Sequence, residues 1–451
     1  MSPFPQTLPP TYNLIKKLNR GDIMATITKN ISALAPAIGT ATKAAKVAGA
    51  AIGLSGGFAT LYFGTLSVFM RPMAEAFSWS RGQTSGVIVL AMLGLALGAP
   101  LVGRLSDKFG VNRVIPISVL LFAIALFGMS MMPGNLAMFA VLSLVIGIIA
   151  TATTPAGYLS VLPKYFDKRL GLALGLAMMG LGLGTVLAPI VTQHWISTHG
   201  WEYAYRALSV VALLFGGIAC FTLFSGKNTI NASPAARAAQ TEASLLPGAD
   251  LGTAVRTGRF WLIAAIIFAV SAAGLGATVH AVSMFVDRGL PADIAANGVA
   301  VAGVGVMLGR IAAGALMDVI HASKVAALAF LLGAIGLAFI AFNPSPSFAV
   351  MAFGALLFGF TVGTEGDLIP FLVRRYFGLK AFGSVFGLLF GVYSLGGVTG
   401  PVLFGVSFDK VGSYQPALIA AAVLCVLAGI AVMLLGPYRY SAATISTGKT
   451  E

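Results

Sequence analysis

Apolar runs of about 20 residues recur along almost the whole of this 451-residue chain, and they are the feature that most restricts its fold. A run of this length forms a helix that crosses the ~30 Å hydrocarbon core of a bilayer. Twelve such runs can be placed, at roughly 46–70, 82–106, 113–132, 135–158, 168–194, 203–225, 259–284, 293–318, 323–342, 346–370, 379–405 and 413–436. The sequence therefore predicts an all-α membrane protein with twelve transmembrane helices.

The composition agrees with a lipid bilayer as the environment. Apolar residues make up 58% of the chain and charged residues 9%, with a mean hydropathy of +0.92. Soluble proteins carry about 25% charged residues. The net charge of +14 would suit nucleic acid, but the basic residues lie in short loops between apolar runs and form no stripe, so no nucleic-acid partner is expected. Cys220 and Cys425 lie within apolar runs and are interpreted as packing residues, with no disulfide, metal site or cofactor.

The distribution of Lys and Arg predicts the orientation. With the N-terminus inside, 22 of the 28 Lys and Arg residues fall on the cytoplasmic side, five fall outside and Arg310 lies within a span. An excess of positive charge marks the cytoplasmic loops. Both termini are therefore predicted to be cytoplasmic, in a multi-pass protein of the inner membrane.

The segments outside the spans are short. Residues 1–45 show no secretory signal and are interpreted as a basic cytoplasmic tail, with an amphipathic surface helix as the alternative. Residues 226–258 are predicted to be a cytoplasmic linker, and residues 437–451 a cytoplasmic C-terminal tail.

The two halves of the chain repeat. Four residues of the first half recur 211 positions later, as does Tyr165-Phe166 in the form of Tyr376-Phe377, and three more residues recur after 212. The matched residues are Gly98, Gly103, Leu105 and Asp107 with Gly309, Gly314, Leu316 and Asp318, then Gly175, Gly184 and Pro189 with Gly387, Gly396 and Pro401. Parallel repeats of this kind are typical of a transporter with its binding site between two lobes. Residues 46–225 and 259–436 are thus predicted to form two pseudo-symmetric six-helix bundles, acting as a monomeric transport unit.

One charge breaks the repeat. Arg310 lies inside the eighth apolar run, and the matching position of the first half is Ala99. An ionisable residue within a membrane span is costly and usually faces a cavity or a pathway. A guanidinium grips a carboxylate through two parallel hydrogen bonds, so Arg310 is predicted to bind an anionic substrate. The alternative is a structural arginine paired with backbone carbonyls or with a fixed acid.

A loop motif identifies a family. The segment Gly103-Arg104-Leu105-Ser106-Asp107-Lys108-Phe109-Gly110, followed by Arg113, resembles the signature loop between the second and third helices of the major facilitator superfamily. The resemblance implies a two-lobed transporter of twelve helices. It also implies that Gly103, Asp107, Gly110 and Arg113, together with Asp318 of the second half, form a gate at the cytoplasmic end.

Two further stretches narrow the resemblance. Residues 69–81 resemble the first outer loop of the monocarboxylate transporter and oxalate/formate antiporter branch, and residues 303–318 resemble its eighth helix, whose arginine binds the substrate carboxylate. Arg310 matches that arginine. The chain departs from the branch in having Val306 where animal monocarboxylate transporters have an aspartate, and in lacking Lys or Arg over residues 381–405, where the antiporter has a lysine. One cation favours a monocarboxylate over oxalate.

Glu365 and Asp367 are the candidates for proton coupling. At ~1.5 Å per residue, Glu365 lies about 13 Å from Arg374 and Arg310 about 12 Å from Asp318, so both reach the same depth. We expect an anion to displace an acid from Arg310, after which the desolvated carboxylate binds a proton. The alternative is a pair of structural acids that bond to backbone at Gly366.

Four other residues complete the candidate site. His280 titrates near neutral pH in water and is predicted to be a proton relay or an outer gate, with a structural histidine bonded to backbone as the alternative. Tyr62, Tyr158 and Tyr393 are candidates for hydrogen bonds to the anion, with ordinary packing as the alternative.

The function predicted from these observations is secondary active transport of a small organic anion, a monocarboxylate, by alternating access with proton symport. The main alternative is an efflux transporter for a drug or metabolite, and the alternative outside transport is a membrane anion sensor. An enzyme is not expected, because the sequence shows no nucleophile–base pair or metal-ligand cluster. The two-lobe repeat disfavours a channel.

Overall fold

A computed structural model describes residues 42–79, 81–166, 168–224, 248–343 and 347–440. Most of the predicted N-terminal tail, residues 226–247 of the linker and residues 441–451 lie outside the described residues. By its contacts the chain divides into residues 1–46, of which 42–46 are described as helix, and residues 47–451.

Helices account for the regular structure of the described residues, apart from one isolated bridge between Gly248 and Gly378. They are α1 (Thr42–Phe63), α2 (Leu66–Phe77), α3 (Arg81–Phe109), α4 (Val111–Met129), α5 (Leu136–Ile149), α6 (Pro155–Tyr158), α7 (Leu170–His199), α8 (Trp201–Phe224), α9 (Leu251–Val255), α10 (Gly258–Asp287), α11 (Ala292–Met317), α12 (Ala322–Phe342), α13 (Phe348–Tyr376), α14 (Phe382–Val411) and α15 (Gln415–Met433).

The prediction of an all-helical membrane protein is confirmed. Within the described residues, eleven helices are long and apolar enough to cross a membrane, and α5 is a shorter apolar helix. The predicted span 135–158 is divided into α5, a 3₁₀ turn at Thr151–Thr153 and α6. Pro155 explains the division, because proline has no N–H and forces the preceding Thr154 into an extended conformation, with φ −106° and ψ 180°.

A second interruption lies beside the first. Helix α1 ends in a π-helical turn, Ala59–Phe63, just after Gly56 and Gly57 leave the helix. The backbone N–H of Phe58 donates a hydrogen bond of 3.0 Å to the Thr153 hydroxyl. The interruption of α1 leaves the Phe58 N–H without a helical partner, and the Thr153 side chain at the second interruption accepts its hydrogen bond. A buried backbone donor requires such a partner.

The two bundles meet through two equivalent helix pairs. Helix α3 of the first bundle packs on α14 of the second, and α11 of the second packs on α7 of the first. At both crossings glycine faces glycine: Gly103 faces Gly383, and Gly171 faces Gly314. A Cβ on any of these glycines would overlap backbone of the other bundle. Small residues of this kind let membrane helices approach closely.

The close approach begins at the end of the molecule that carries Asp107 and Asp318, called the Asp107 end, and continues along the helices to the level where Ala99 lies against Gly387. One buried apolar core runs from the first bundle into the second there, through residues such as Met317, Phe382 and Phe386. A separate core, around Phe285, fills the rest of the second bundle. The structure is therefore closed between the bundles at the Asp107 end.

Replacing Gly171 by valine is expected to open that end. The added side chain would overlap the backbone of Gly314, and overpacking costs about 1–3 kcal/mol. Spin labels on the exposed residues Lys168 and Val319, in a background with Cys220 and Cys425 changed to alanine, report the separation by pulsed electron resonance.

The population at longer distance is expected to rise about fivefold or more. Gly182→Val is the matched control on the same helix, because its side chain would enter open space. Equal distance distributions for the two variants would show that the Gly171 contact does not control closure.

Candidate functional site

The position of Arg310 follows from the repeat. In the α3–α14 pair, Ala99 lies against Gly387. In the equivalent α11–α7 pair, the backbone of Arg310 lies against Gly175. Arg310 therefore occupies a point where a helix of one bundle crosses a helix of the other. Only 9% of the residue is exposed, so the predicted charge within a span is buried at the boundary between the bundles.

The guanidinium of Arg310 reaches across that boundary. One Nη donates a hydrogen bond to the backbone carbonyl of Met178 on α7. The Nε has no hydrogen-bond partner in the described part of the chain. Arg310 thus retains one guanidinium donor, the Nε hydrogen, that no described residue accepts.

Glu365 and Asp367 are buried close to this guanidinium. Glu365 is 5% exposed and Asp367 is 0% exposed. None of the four carboxylate oxygens accepts a hydrogen bond from a described residue. Arg310 interacts electrostatically with Asp367, Tyr393 and Glu365. The expectation that the acids lie at the depth of Arg310 agrees with this arrangement, whereas the alternative of acids bonded to backbone does not.

The two acids face different neighbours. A Cβ on Gly175 of the first bundle would lie 3.5 Å from Asp367 Oδ2. A Cβ on Gly274 of α10 would lie 3.7 Å from both Glu365 oxygens. Asp367 therefore faces the boundary between the bundles, and Glu365 faces the interior of the second bundle.

Tyr393 completes this group, which is called the Arg310 cluster and consists of Arg310, Glu365, Asp367 and Tyr393. The Tyr393 side chain lies near Glu365 and Arg310, although no hydrogen bond joins it to Glu365 in the structure. Its ring stacks on Phe390 at 5.5 Å, and its carbonyl accepts a 2.7 Å hydrogen bond from Ser271. Of the three predicted tyrosines, this one is brought to Arg310.

The other two tyrosines lie in the core of the first bundle. The Tyr62 hydroxyl donates to Ser143 at 2.6 Å, and Ser143 in turn donates to the carbonyl of Phe139. The Tyr158 ring packs on the backbone of Gly53. The structure places both in the packing role given as the alternative, and contact with an anion stays a prediction for them.

His280 ties three helices of the second bundle together. Its Nε2 lies 3.0 Å from the Pro401 carbonyl, which only accepts, so Nε2 carries the hydrogen. Tyr414 then donates to Nδ1 over 3.2 Å. Gly274 is the residue of α10 that Glu365 faces. His280 lies six residues further along α10, about 9 Å from Gly274. This position suits the structural alternative, and a relay role stays a prediction.

Two of the predicted gate residues, Asp107 and Asp318, form a paired clamp at the Asp107 end. Asp107 accepts hydrogen bonds from the backbone N–H groups of Gly383 (2.9 Å) and Ser384 (2.7 Å) at the start of α14. Asp318 accepts from Gly171 (2.8 Å) and Leu172 (2.9 Å) at the start of α7. Each carboxylate therefore caps a helix N-terminus of the opposite bundle, where unpaired N–H groups and the helix dipole favour negative charge.

The clamp and Arg310 both supply hydrogen bonds that cross between the bundles. Burial raises the pKa of Asp318, and the N–H groups of Leu172 and Gly171 counteract that effect because they stabilise the carboxylate.

Arg113, which was predicted to belong to the gate, lies outside the clamp. Its side chain is exposed, and in the described ranges Asp107 bonds to the start of α14 instead. Gly110 adopts φ +86°, a left-handed value that favours glycine, and so allows the turn from α3 into α4. Among the predicted gate residues, Gly103, Asp107 and Asp318 lie at the boundary between the bundles.

Two groups of contributors were missed by the sequence analysis. The first group is the backbone N–H donors of the clamp, which include those of Gly171 and Gly383. These two glycines are 212 positions apart, the spacing of the repeat, so the sequence showed that they are equivalent. It did not show that their N–H groups donate to the clamp carboxylates. Met178 contributes a backbone carbonyl, for which the sequence carries no signal.

Comparison with known proteins agrees with this architecture. A family model described as Major Facilitator Superfamily matches residues 52–365 and 262–451. Monocarboxylate transporter 13 of Rattus norvegicus is 26% identical over 410 residues, covering 87% of this chain and 89% of that protein. The uncharacterized MFS-type transporter YhjX of Escherichia coli K12 is 26% identical over 343 residues, covering 74% of this chain and 81% of that protein.

Solved structures share the fold. The proton:xylose symporter XylE superimposes with a TM-score of 0.67 at 16% identity, covering 88% of this chain and 97% of that one. FucP, in the outward conformation, gives 0.64 at 14% identity, covering 87% and 98%. The family consists of membrane transporters of small molecules rather than enzymes, which agrees with the multi-pass fold. This chain belongs to the Major Facilitator Superfamily.

Proposed function

We propose that the chain transports a small monocarboxylate together with a proton, by alternating access between its two bundles. The observation that supports this most directly is the Arg310 cluster, in which a buried guanidinium lies at the boundary between the bundles and its Nε has no hydrogen-bond partner among the described residues. A buried charge of this kind marks a substrate pathway in membrane proteins.

The donor set favours one carboxylate. Arg310 is the single basic residue of the Arg310 cluster, and Tyr393 adds one hydroxyl beside it. A carboxylate that replaces the Met178 carbonyl would engage the planar fork with two charge-assisted hydrogen bonds. A dicarboxylate would leave its second charge buried without a cation, which is costly.

Charge balance supports proton coupling. With every group ionised, Arg310, Asp367 and Glu365 sum to one negative charge, and a bound monocarboxylate adds a second. One proton restores the initial charge of the site. We assign Asp367 as the counter-ion of Arg310, because it faces the boundary between the bundles where Arg310 lies, and Glu365 as the proton carrier, because it faces the interior of the second bundle.

The paired clamp controls whether the site is open or closed at the Asp107 end. Asp107 and Asp318 hold the bundles together at the Asp107 end through four hydrogen bonds to helix N-termini. Release of these contacts would let the bundles separate there and expose the Arg310 cluster. The excess of Lys and Arg in the adjoining loops supports a cytoplasmic location of this end and of both termini, in an inner membrane.

Replacing Arg310 tests substrate binding. Lactate, pyruvate, formate, oxalate and larger acids are screened for thermal stabilisation of the purified protein. The best monocarboxylate is expected to bind Arg310→Ala about tenfold or more weakly, because charge-assisted hydrogen bonds contribute ~1.5–3 kcal/mol. Arg206→Ala is the control, since Arg206 bonds to Ser130 away from the cluster. An acid that stabilises Arg310→Ala as well as the unmodified protein would remove Arg310 from the site.

Replacing the two acids separates their roles. In proteoliposomes, Glu365→Gln is expected to keep anion exchange within about twofold but to lose accumulation driven by a pH gradient, because the proton carrier is gone. Asp367→Asn, the matched amide variant, is expected to keep accumulation and to change the apparent anion affinity. Full accumulation in Glu365→Gln would refute the assignment of the proton.

Removing one arm of the clamp is expected to favour opening at the Asp107 end. Asp318→Ala and Asp107→Ala each lose two N-cap hydrogen bonds, worth about 0.5–2 kcal/mol. The Lys168–Val319 label pair is expected to show more of the long distance in each variant and most in the double variant. The control is Asp409→Ala, on the exposed far end of α14. Unchanged distances in the double variant would exclude the clamp as the gate.

A further inference from the structure

An apolar groove lies on the surface of the first bundle at the Asp107 end. It has a volume of about 420 Å³ and is bounded by three helices, with Leu101 and Leu105 from α3, Ile117 and Leu121 from α4, and Ile148 from α5. We call it the α3–α4 groove. Its volume falls within the roughly 300–1,000 Å³ of sites that hold small organic ligands.

Only two polar side chains line the α3–α4 groove. The Ser118 hydroxyl is already used, because it donates to the Ile149 carbonyl at 2.5 Å. The Arg113 side chain is exposed, and no hydrogen bond or ion pair is found for its guanidinium within the described part of the chain. The groove therefore offers a long apolar surface with one available cation at its end.

The geometry matches one chain of a phospholipid. Arg113 and Leu121 are eight residues apart on α4, which corresponds to about 12 Å. One leaflet of a bilayer contributes about 15 Å of hydrocarbon. A lipid with its phosphate at Arg113 would therefore lay an acyl chain along the groove toward the membrane centre, where it would restore the dispersion contacts that an unfilled apolar surface lacks.

The charge around the mouth selects an anionic headgroup. Arg104 is exposed near the end of α3, nine residues before Arg113 in the sequence, while the carboxylate of Asp107 is engaged by the start of α14. Basic clusters at this membrane level attract anionic lipids. We propose that the α3–α4 groove is a binding site for an anionic phospholipid, with its phosphate on Arg113 and one acyl chain in the groove. This proposal does not depend on the identity of the transported solute.

The test measures lipid retention by the full-length protein. Native mass spectrometry compares palmitoyl-oleoyl phosphatidylglycerol with the zwitterionic phosphatidylcholine of the same chains. Arg113→Gln is expected to weaken retention of phosphatidylglycerol about fivefold and to leave phosphatidylcholine unchanged. Lys108→Gln is the matched control, because Lys108 lies over the Phe109 ring and does not line the groove.

The acyl chain is tested separately. Leu121→Trp would fill the groove and is expected to reduce phosphatidylglycerol retention to the level of phosphatidylcholine. Leu120→Trp is the control, since Leu120 is exposed (52%, against 40% for Leu121) but does not line the groove. Thermal melting and size-exclusion profiles confirm that each variant is folded. Equal retention of the two lipids by the unmodified protein, or equal losses in Arg113→Gln and Lys108→Gln or in the two tryptophan variants, would overturn the proposal.

Discussion

A buried guanidinium held between two helical bundles is the constraint on which the rest of this structure depends. A buried cation is stable only with partners, and Arg310 has three kinds: a backbone carbonyl of the opposite bundle, two carboxylates and a tyrosine. None of these partners saturates it, since its Nε is unused within the described residues. A site that is incompletely satisfied is suited to exchange one partner for another, which is what reversible binding of an anion requires.

The scaffold is symmetric, but its chemistry is not. Asp107 and Asp318 cap equivalent helices of the opposite bundle with nearly equal geometry, and glycines face one another at both crossings. At the next level along the same helices, Ala99 in one pair corresponds to Arg310 in the other. The helix interruptions at Phe58 and Thr153 belong to the first bundle alone, whereas α10 and α13 of the second are continuous. The charges thus lie on the more regular bundle.

Much of the architecture could be predicted from the sequence, because the length of each apolar run, the repeat and the single charge within a span can be seen from residue types alone. Helical rise alone placed Glu365 at the depth of Arg310. Tyr62 and Tyr158 could not be separated from Tyr393, because depth does not reveal which side of a helix faces the neighbouring bundle. Asp107 was predicted to act in a gate, but its partners are backbone N–H groups that every residue carries. The short α5 was also missed, since the apolar run continues through Pro155 although the helix does not.

The central claim is that a carboxylate comes into direct contact with Arg310. Rotational-echo solid-state NMR on the protein in lipid, with a carboxyl-¹³C substrate and ¹⁵N-labelled guanidinium groups, measures that contact without relying on transport. We predict a carbon–nitrogen distance of about 4 Å, as expected when both carboxylate oxygens accept hydrogen bonds from the guanidinium, and loss of the signal in Arg310→Lys, whose nitrogen carries no label. A substrate that binds with full occupancy but shows no such coupling, or a coupling that persists in Arg310→Lys, would contradict it.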